Sequence, residues 1–296
     1  TNNARPLDQV MLTSRSPFSL PWVFGRIGLI KPSIFVARLE QDRFYPRANL
    51  LGMRLDIKPV PSFRFGLSRV IMFGGEGRGN LSLSDWAQVL IASDSAEHSS
   101  SPIDGNQILS VDASYVYVNN IRALPFSGAK LYAEVGAEDS AGKDKTPKSR
   151  AYLFGLLVDG PLWLDSFDLR VEYATTEKDD KLPAQQWYRH HIYKSGYTYY
   201  GRVIGHHMGP DANDLFLRLR YHHGSGAVIA AEADFERTDV NDPPNSAKRS
   251  WFAFDVDYPV TGDLRLGAVV GYEQTDGAVE PASSSPAARV RLEYGF

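Results

Sequence analysis

The chain has 296 residues and not one of them is cysteine. That excludes a disulfide framework, a thiolate zinc site and a catalytic thiol. Long apolar runs are missing too. Residues 152–158 form one of the longest, far short of the ~18 consecutive apolar residues a membrane-spanning helix requires. No basic block occurs, and 32 Lys and Arg against 35 Asp and Glu leave a net charge of −3. The electrostatic footprint for nucleic acid is therefore lacking, and nucleic acid is not expected as a partner. What the chain has in quantity is aromatic side chains: 15 Tyr, 15 Phe and 5 Trp. Two classes remain, a soluble β protein and a membrane β-barrel. The mean hydropathy of −0.29 speaks only against helical spans, because half of each barrel strand faces water.

Period-two alternation recurs along almost the whole sequence. In residues 128–138, Ala129, Leu131, Ala133, Val135 and Ala137 share one face, and Lys130, Tyr132, Glu134 and Glu138 the other. Residues 166–175, 214–222, 263–273 and 287–296 behave alike, with weaker patterns over 33–40, 48–58, 62–71, 106–118, 150–158, 226–236 and 249–258. Each is near the ~9–11 residues of a tilted membrane strand. A soluble β-sandwich also alternates. Here, however, the polar face carries full charges of both signs, as an aqueous lumen would, and the apolar face often ends in Tyr, as at Tyr117, Tyr173, Tyr221, Tyr258, Tyr272 and Tyr294.

Connection lengths give a second criterion. Counting back from the C-terminus, the expected inner turns are 259–262, 223–225, 159–165, 119–127 and 59–61. The expected outer loops are 274–286, 237–248, 176–213, 139–149, 72–105 and 41–47. The very short connections fall on one side and both very long ones on the other, as in transmembrane barrels. The sequence also closes on an alternating strand with a terminal aromatic, Phe296. The expected fold class is all-β: an antiparallel transmembrane β-barrel of 12 strands, or 14 if 8–13 and 21–29 each add one.

The loop from Met72 opens on Gly74, Gly75 and Gly77, without the Gly-Lys-Ser/Thr that a phosphate cradle needs, and reads as a flexible entry to a helix. Ser82 can cap that helix with Asp85 three residues on. Leu83, Trp86, Ala87, Leu90 and Ile91 then form one apolar stripe, expected to fold over the barrel mouth or against its wall. Membrane-surface binding is the lesser reading, because the helix has no Lys or Arg. The longest loop concentrates rings and cations between Trp187 and Asp211. Sugars bind such surfaces, with rings on the apolar face of a pyranose and Arg, His or Asp on hydroxyls or uronate carboxylates. A self-packed loop with its rings turned inward is the competing reading, and the two can coexist. Six of seven histidines form doublets, His190-His191, His206-His207 and His222-His223, but without ligand spacing; adjacent side chains on extended chain point apart, and no metal is expected. No nucleophile elbow occurs, Ser195 near His191 is no triad, and Asp211 with Asp214 is a commonplace loop pair, so no catalytic residue or cofactor is assigned.

Residues 73–78 (Phe-Gly-Gly-Glu-Gly-Arg), 83–86 (Leu-Ser-Asp-Trp) and 196–211 (Gly-Tyr-Thr-Tyr-Tyr-Gly-Arg-Val-Ile-Gly-His-His-Met-Gly-Pro-Asp) together resemble the Wzi-type capsule-assembly family. Residues 2–6 and 42–46 (Asp-Arg-Phe-Tyr-Pro) are similar to it too. The resemblance runs the length of the chain. It implies a non-enzymatic outer-membrane lectin of Gram-negative bacteria that holds capsular polysaccharide at the cell surface. Capsular polysaccharide and outer-membrane lipid are the implied partners, with the capsule export machinery a further candidate. Family members are longer, with more N-terminal strands and a periplasmic helical part, so residues 1–296 are expected to be one barrel domain lacking its beginning. The expected polysaccharide contacts are Trp187, Tyr188, Tyr193, Tyr197, Tyr199, Arg202, His206 and Asp211. Gly74, Gly75, Gly77, Gly201, Gly205 and Gly209 are expected to shape the loops. Two alternatives stay open: a sugar or anion channel using a lumen rich in Arg (Arg54, Arg64, Arg170, Arg218, Arg220, Arg265, Arg289, Arg291), and a barrel hydrolase. The channel reading competes with a lumen plugged by pairing to Asp56, Glu134, Glu172, Glu232, Asp234, Asp255 and Glu293.

Overall fold

The computed structural model describes residues 4–91, 103–121, 123–140, 147–177, 187–242, 244–277 and 282–294. Its strands are β1 (Gln9–Thr13), β2 (Phe18–Ser19), β3 (Leu29–Arg38), β4 (Asn49–Val60), β5 (Phe63–Phe73), β6 (Asn106–Val118), β7 (Gly128–Ser140), β8 (Pro147–Asp159), β9 (Phe167–Thr175), β10 (Thr198–Tyr199), β11 (Arg202–Val203), β12 (Asn213–His222), β13 (Val228–Thr238), β14 (Ala247–Pro259), β15 (Leu264–Gly277) and β16 (Ser283–Tyr294). Fourteen of them make one sheet whose order follows the chain from β1 to β16, with β2 attached to β3; β10 and β11 are a separate hairpin in the longest loop. The strand pairs along β1–β3–β4–β5 and along β8–β9–β12–β13–β14–β15–β16 are antiparallel, as short connections between sequential strands demand. Two compact units divide the chain. One comprises Thr1–Ala113, Glu134–Ala151 and Thr176–Pro210; the other comprises Ser114–Ala133, Tyr152–Thr175 and Asp211–Phe296.

Each of the twelve strands expected from alternation is present, with ends moved by up to four residues. The extra strand over 8–13 is β1. That over 21–29 is not a strand: Trp22–Ile27 is a 3-10 turn between Pro21 and Gly28, whose φ of +94° ends it. Because strands run on, connections 141–146 and 278–282 are as short as the opposite-end connections 119–127 and 160–166. Only the two longest, 74–105 and 176–212, still mark one end as the looped one. Phe296 lies outside the described residues.

The two sheet faces settle the sandwich question. Leu131, Val135, Phe154, Tyr173, Leu219, Phe254, Val270 and Tyr272 are exposed although apolar. A sandwich would bury that face against a second sheet. The opposite face is charged and paired in small sets. Arg54 bridges Asp56 and Asp112, Arg170 meets Glu172 and the Tyr132 hydroxyl, Arg220 and His222 share Asp168, and Arg249 joins Glu236 and Glu273. Arg265 and Arg291 both reach Asp257, a partner not anticipated from the sequence. Large rings on this face lie over glycines, Tyr132 over Gly155 and Trp251 over Gly271, where a Cβ would overlap the ring.

The expected helix is α1 (Leu83–Ile91), capped as anticipated: Ser82 N–H donates to Asp85 Oδ2 at 2.7 Å and Asp85 N–H to Ser82 Oγ at 3.2 Å. These bonds hold the Asp85 carboxyl below its usual pKa. Its buried face differs from the one expected. Trp86 sits edge-on against Phe73 at 5.0 Å, and Val89 is buried with Leu51, Ile71 and Phe73, whereas Leu83 and Leu90 point away. Apolar residues lie on both sides of this helix, so periodicity alone did not say which side the sheet would take.

Candidate functional site

The chemistry concentrates where connection 39–48, the glycine-rich loop from Gly74 and the long loop from Trp187 meet. Ala37, Leu39, Ala48, Leu50 and Met72 pack with Ile192, Tyr193, Tyr197 and Tyr199 into one buried cluster. This is the sheet face that carries Arg54, because Leu50, Gly52 and Arg54 alternate on it. The loop therefore seats on the charged face of β3–β5. Arg43 is its pin. From a guanidinium with 1% of its side chain exposed, Arg43 donates to Thr198 O at 3.0 Å, Gly196 O at 3.1 Å and Met72 Sδ at 3.2 Å, and pairs with Glu40 at 3.4 Å. Burial lowers its pKa and the Glu40 charge opposes that. Arg78 lies over the rings of Tyr45 and Tyr193 and donates to Asp104 O at 2.7 Å.

Most of the rings expected to face sugar are turned inward. Trp187, Tyr193, Tyr197 and Tyr199 are each at most 5% exposed, and Tyr188 stacks on Tyr197 at 5.8 Å. Burial raises the phenol pKa of Tyr188, Tyr193 and Tyr197 well above the usual tyrosine value, so they stay neutral donors. Tyr193 uses its hydroxyl on Gly74 O, and Tyr188 accepts the His206 N–H. Trp187 lies over Gly136, and Glu138 accepts the Tyr188 N–H at 2.6 Å. As placed, these residues build the loop's own core. Asp211 is likewise buried, accepting the Asn241 side-chain and backbone N–H groups. Of the expected contacts, Arg202 is exposed and His206 half-buried.

The glycine-rich entry is held rather than loose, since Glu76 N–H donates to Pro46 O at 2.8 Å. Gly74, Gly75, Gly77, Gly201, Gly205 and Gly209 all have positive φ. At Gly75 (φ +106°) a Cβ would press on Pro46 and Tyr45, and at Gly205 on the Tyr188 ring. Tyr188, Tyr200 and Asp211 also sit at positive φ, a cost of order 1–3 kcal/mol each that the surrounding packing must offset. The histidine doublets separate into two kinds. His222 meets Asp168 and His223 meets Ser225, pointing apart as the extended chain requires. In the loop the rule fails: His190 and His191 rings lie 4.4 Å apart and His206 and His207 rings 4.6 Å apart, because turns replace extended chain there. Ser195 Oγ accepts the Phe44 N–H at 2.8 Å.

Two exposed rings were missed by the sequence reading. Phe44, 50% exposed, has Lys194 Nζ 4.8 Å from its centroid; Tyr200, 55% exposed, has the Arg5 guanidinium 5.3 Å from its own. Arg189, His191 and Arg202 are exposed on the same loop. Phe44 stands in the 42–46 motif, which was the available signal, but nothing local distinguishes its outward ring from the inward ring of Tyr45.

A family model described as capsule assembly protein Wzi matches residues 1–280. The chain belongs to the Wzi family. Among solved structures, it is similar to that of Wzi, "an outer membrane protein involved in group 1 capsule assembly in Escherichia coli", described as a carbohydrate-binding β-barrel. The TM-score is 0.76 and the identity 18%, covering 99% of this chain and 62% of that one. This likeness shows the fold, and the chain spans under two thirds of that protein's length. A KdgM porin aligns over 84% of this chain and 93% of its own at 9% identity, with a TM-score of 0.32, too low to carry an argument. No curated protein matches.

Proposed function

We propose that this Wzi-family chain forms the wall of an outer-membrane β-barrel and acts, without catalysis, as a lectin for extracellular capsular polysaccharide during capsule assembly. The observation that carries this reading is the pair of exposed ring–cation contacts, Phe44 with Lys194 and Tyr200 with Arg5, in which Lys194 and Tyr200 stand on a loop whose interior is packed and pinned. Rigid rings stack on pyranose faces at small entropic cost, and cations beside them suit uronate carboxylates. The apolar outward face supplies the contact with outer-membrane lipid. Carbohydrate binding by the Escherichia coli relative supports the same assignment. The relevant surface is then Phe44, Lys194, Tyr200, Arg5, Arg189 and Arg202, with Trp187, Tyr193, Tyr197 and Tyr199 as its support.

Capsular polysaccharide pull-down with the purified protein tests this. Phe44→Ala and Tyr200→Ala should each weaken binding about fivefold, from loss of ~1 kcal/mol per stacked ring. Full binding by the double variant would remove this surface from consideration.

A further inference from the structure

The helix in the 74–105 connection has two apolar faces, and among the described residues only one of them is packed on the sheet. Through Trp86 and Val89 it packs on Leu51, Ile71 and Phe73. Those residues alternate with Leu50, Met72 and Arg54, so α1 lies on the outward face of β4–β5, the face opposite the ion pairs and the aromatic loop. Arg69, also outward, fixes the far end: Nη1 donates to Val89 O at 2.8 Å and Leu90 O at 3.3 Å, while Nε and Nη2 hold Gln107 at 3.3 and 2.9 Å. A cation at a helix C-terminus satisfies carbonyls that would otherwise be orphaned. It also explains an arginine on the face a barrel turns to lipid, where an uncovered charge is disfavoured.

The direction of the helix follows from these two contacts. Trp86 meets Phe73, the last residue of β5 before the loop, and the carbonyls of residues 89 and 90 meet Arg69, four residues back along the strand. The helix therefore runs along the strand away from the loop end, and at about 1.5 Å per residue its whole length is roughly 14 Å. Its second face, Leu83 (90% exposed), Ala87 and Leu90 (43% exposed), points away from the sheet and carries no Lys or Arg. Below Arg69 on the same strand, Leu67 is exposed and outward.

We infer that α1 is a lipid-contacting buttress: it covers the upper outward face of β4–β5 and presents Leu83, Ala87 and Leu90 to the acyl–headgroup boundary of the membrane. The occupant follows from continuity, because the helix's free apolar face extends the apolar band of the strand wall it stands on. Basic residues are not needed for this seat, since the sheet rather than headgroup charge holds the helix in place. The inference rests on the barrel reading.

The absence of native cysteine makes the test specific. Single-cysteine variants Leu83→Cys, Ala87→Cys and Leu90→Cys are labelled with bimane and reconstituted into phosphatidylethanolamine–phosphatidylglycerol vesicles containing a nitroxide phosphatidylcholine. Leu67→Cys and Val270→Cys report the strand wall, and Lys194→Cys the loop surface. The helix labels should be quenched to at least about half the extent seen at Leu67→Cys, with Lys194→Cys unquenched. Helix labels at the Lys194→Cys level, with both wall labels quenched, would overturn the inference and leave the barrel intact. Wall labels that escape quenching would overturn both.

Discussion

Removing the Arg43 guanidinium should release the aromatic loop while leaving the sheet folded. Arg43→Ala strips a donor from Gly196 O and Thr198 O and leaves Glu40, with 3% of its side chain exposed, as a buried carboxylate without its cation. Gly196 O keeps the Thr198 N–H at 2.9 Å, so its loss is partial; an unpaired buried carbonyl costs about 1–3 kcal/mol, and breaking a buried ion pair from one side about 3–5 kcal/mol. These losses overlap, so ~4 kcal/mol is a fair total for the loop. At about 1.4 kcal/mol per tenfold, opening should rise roughly a thousandfold. The strands keep their ladder, because Arg43 lies in the connection between β3 and β4 and takes no part in it. Hydrogen exchange on the membrane-embedded protein reads this directly: amides of residues 192–204 should exchange about a thousandfold faster, with β12–β15 unchanged. The companion variant Arg43→Met with Glu40→Leu removes both charges together and should recover most of the protection. If Arg43→Ala leaves loop exchange within about threefold of the parent, the pin assignment is wrong.

Further expectations concern the support of the loop and the lumen. Gly136→Ala places a methyl 2.7 Å from the Trp187 ring and should displace it, at about 1–3 kcal/mol, with a visible change in near-ultraviolet dichroism. Tyr188, Tyr193 and Tyr197 have folded pKa values raised by burial. Their contribution to stability is complete below the unfolded value of about 10 and is lost as pH rises toward the folded values. Absorbance titration should show a late tyrosinate step that vanishes in the triple Tyr→Phe variant; a step that persists contradicts the assignment. In planar bilayers the purified protein should give no steady porin-sized current, since arginines of the charged sheet face such as Arg54, Arg170, Arg249 and Arg265 are tied to carboxylates. A large steady current would favour the channel.

Much of this architecture was legible because its signals are local. A two-residue period survives whatever the strand packs against, and a Ser82–Asp85 cap needs only four residues of chain. Strand ends were less legible, since continued pairing with a neighbour decides where a ladder stops: β15 runs to Gly277 because Gly277 pairs Ala247, and β16 starts at Ser283 because Ser283 pairs Thr275. Residues 21–29 misled because an apolar segment between Pro21 and Gly28 offers the same composition to a strand and to a 3-10 turn. The orientation of the loop's rings was not legible for a related reason. Tyr193, Tyr197 and Tyr199 have the composition of a sugar platform, and composition is silent on which way a ring points.

The sequence by itself determined the fold class, the separation of an apolar from a charged sheet face, the looped end and the capped helix. Each is written in residues that are neighbours along the chain. Only the tertiary structure decided which rings form the loop's core and which stand on its surface. That choice depends on Arg43 reaching carbonyls of residues 196 and 198, and on Tyr193 reaching Gly74, contacts spanning more than a hundred residues. A buried ring is recognised by what closes over it, and what closes over these rings comes from distant parts of the chain.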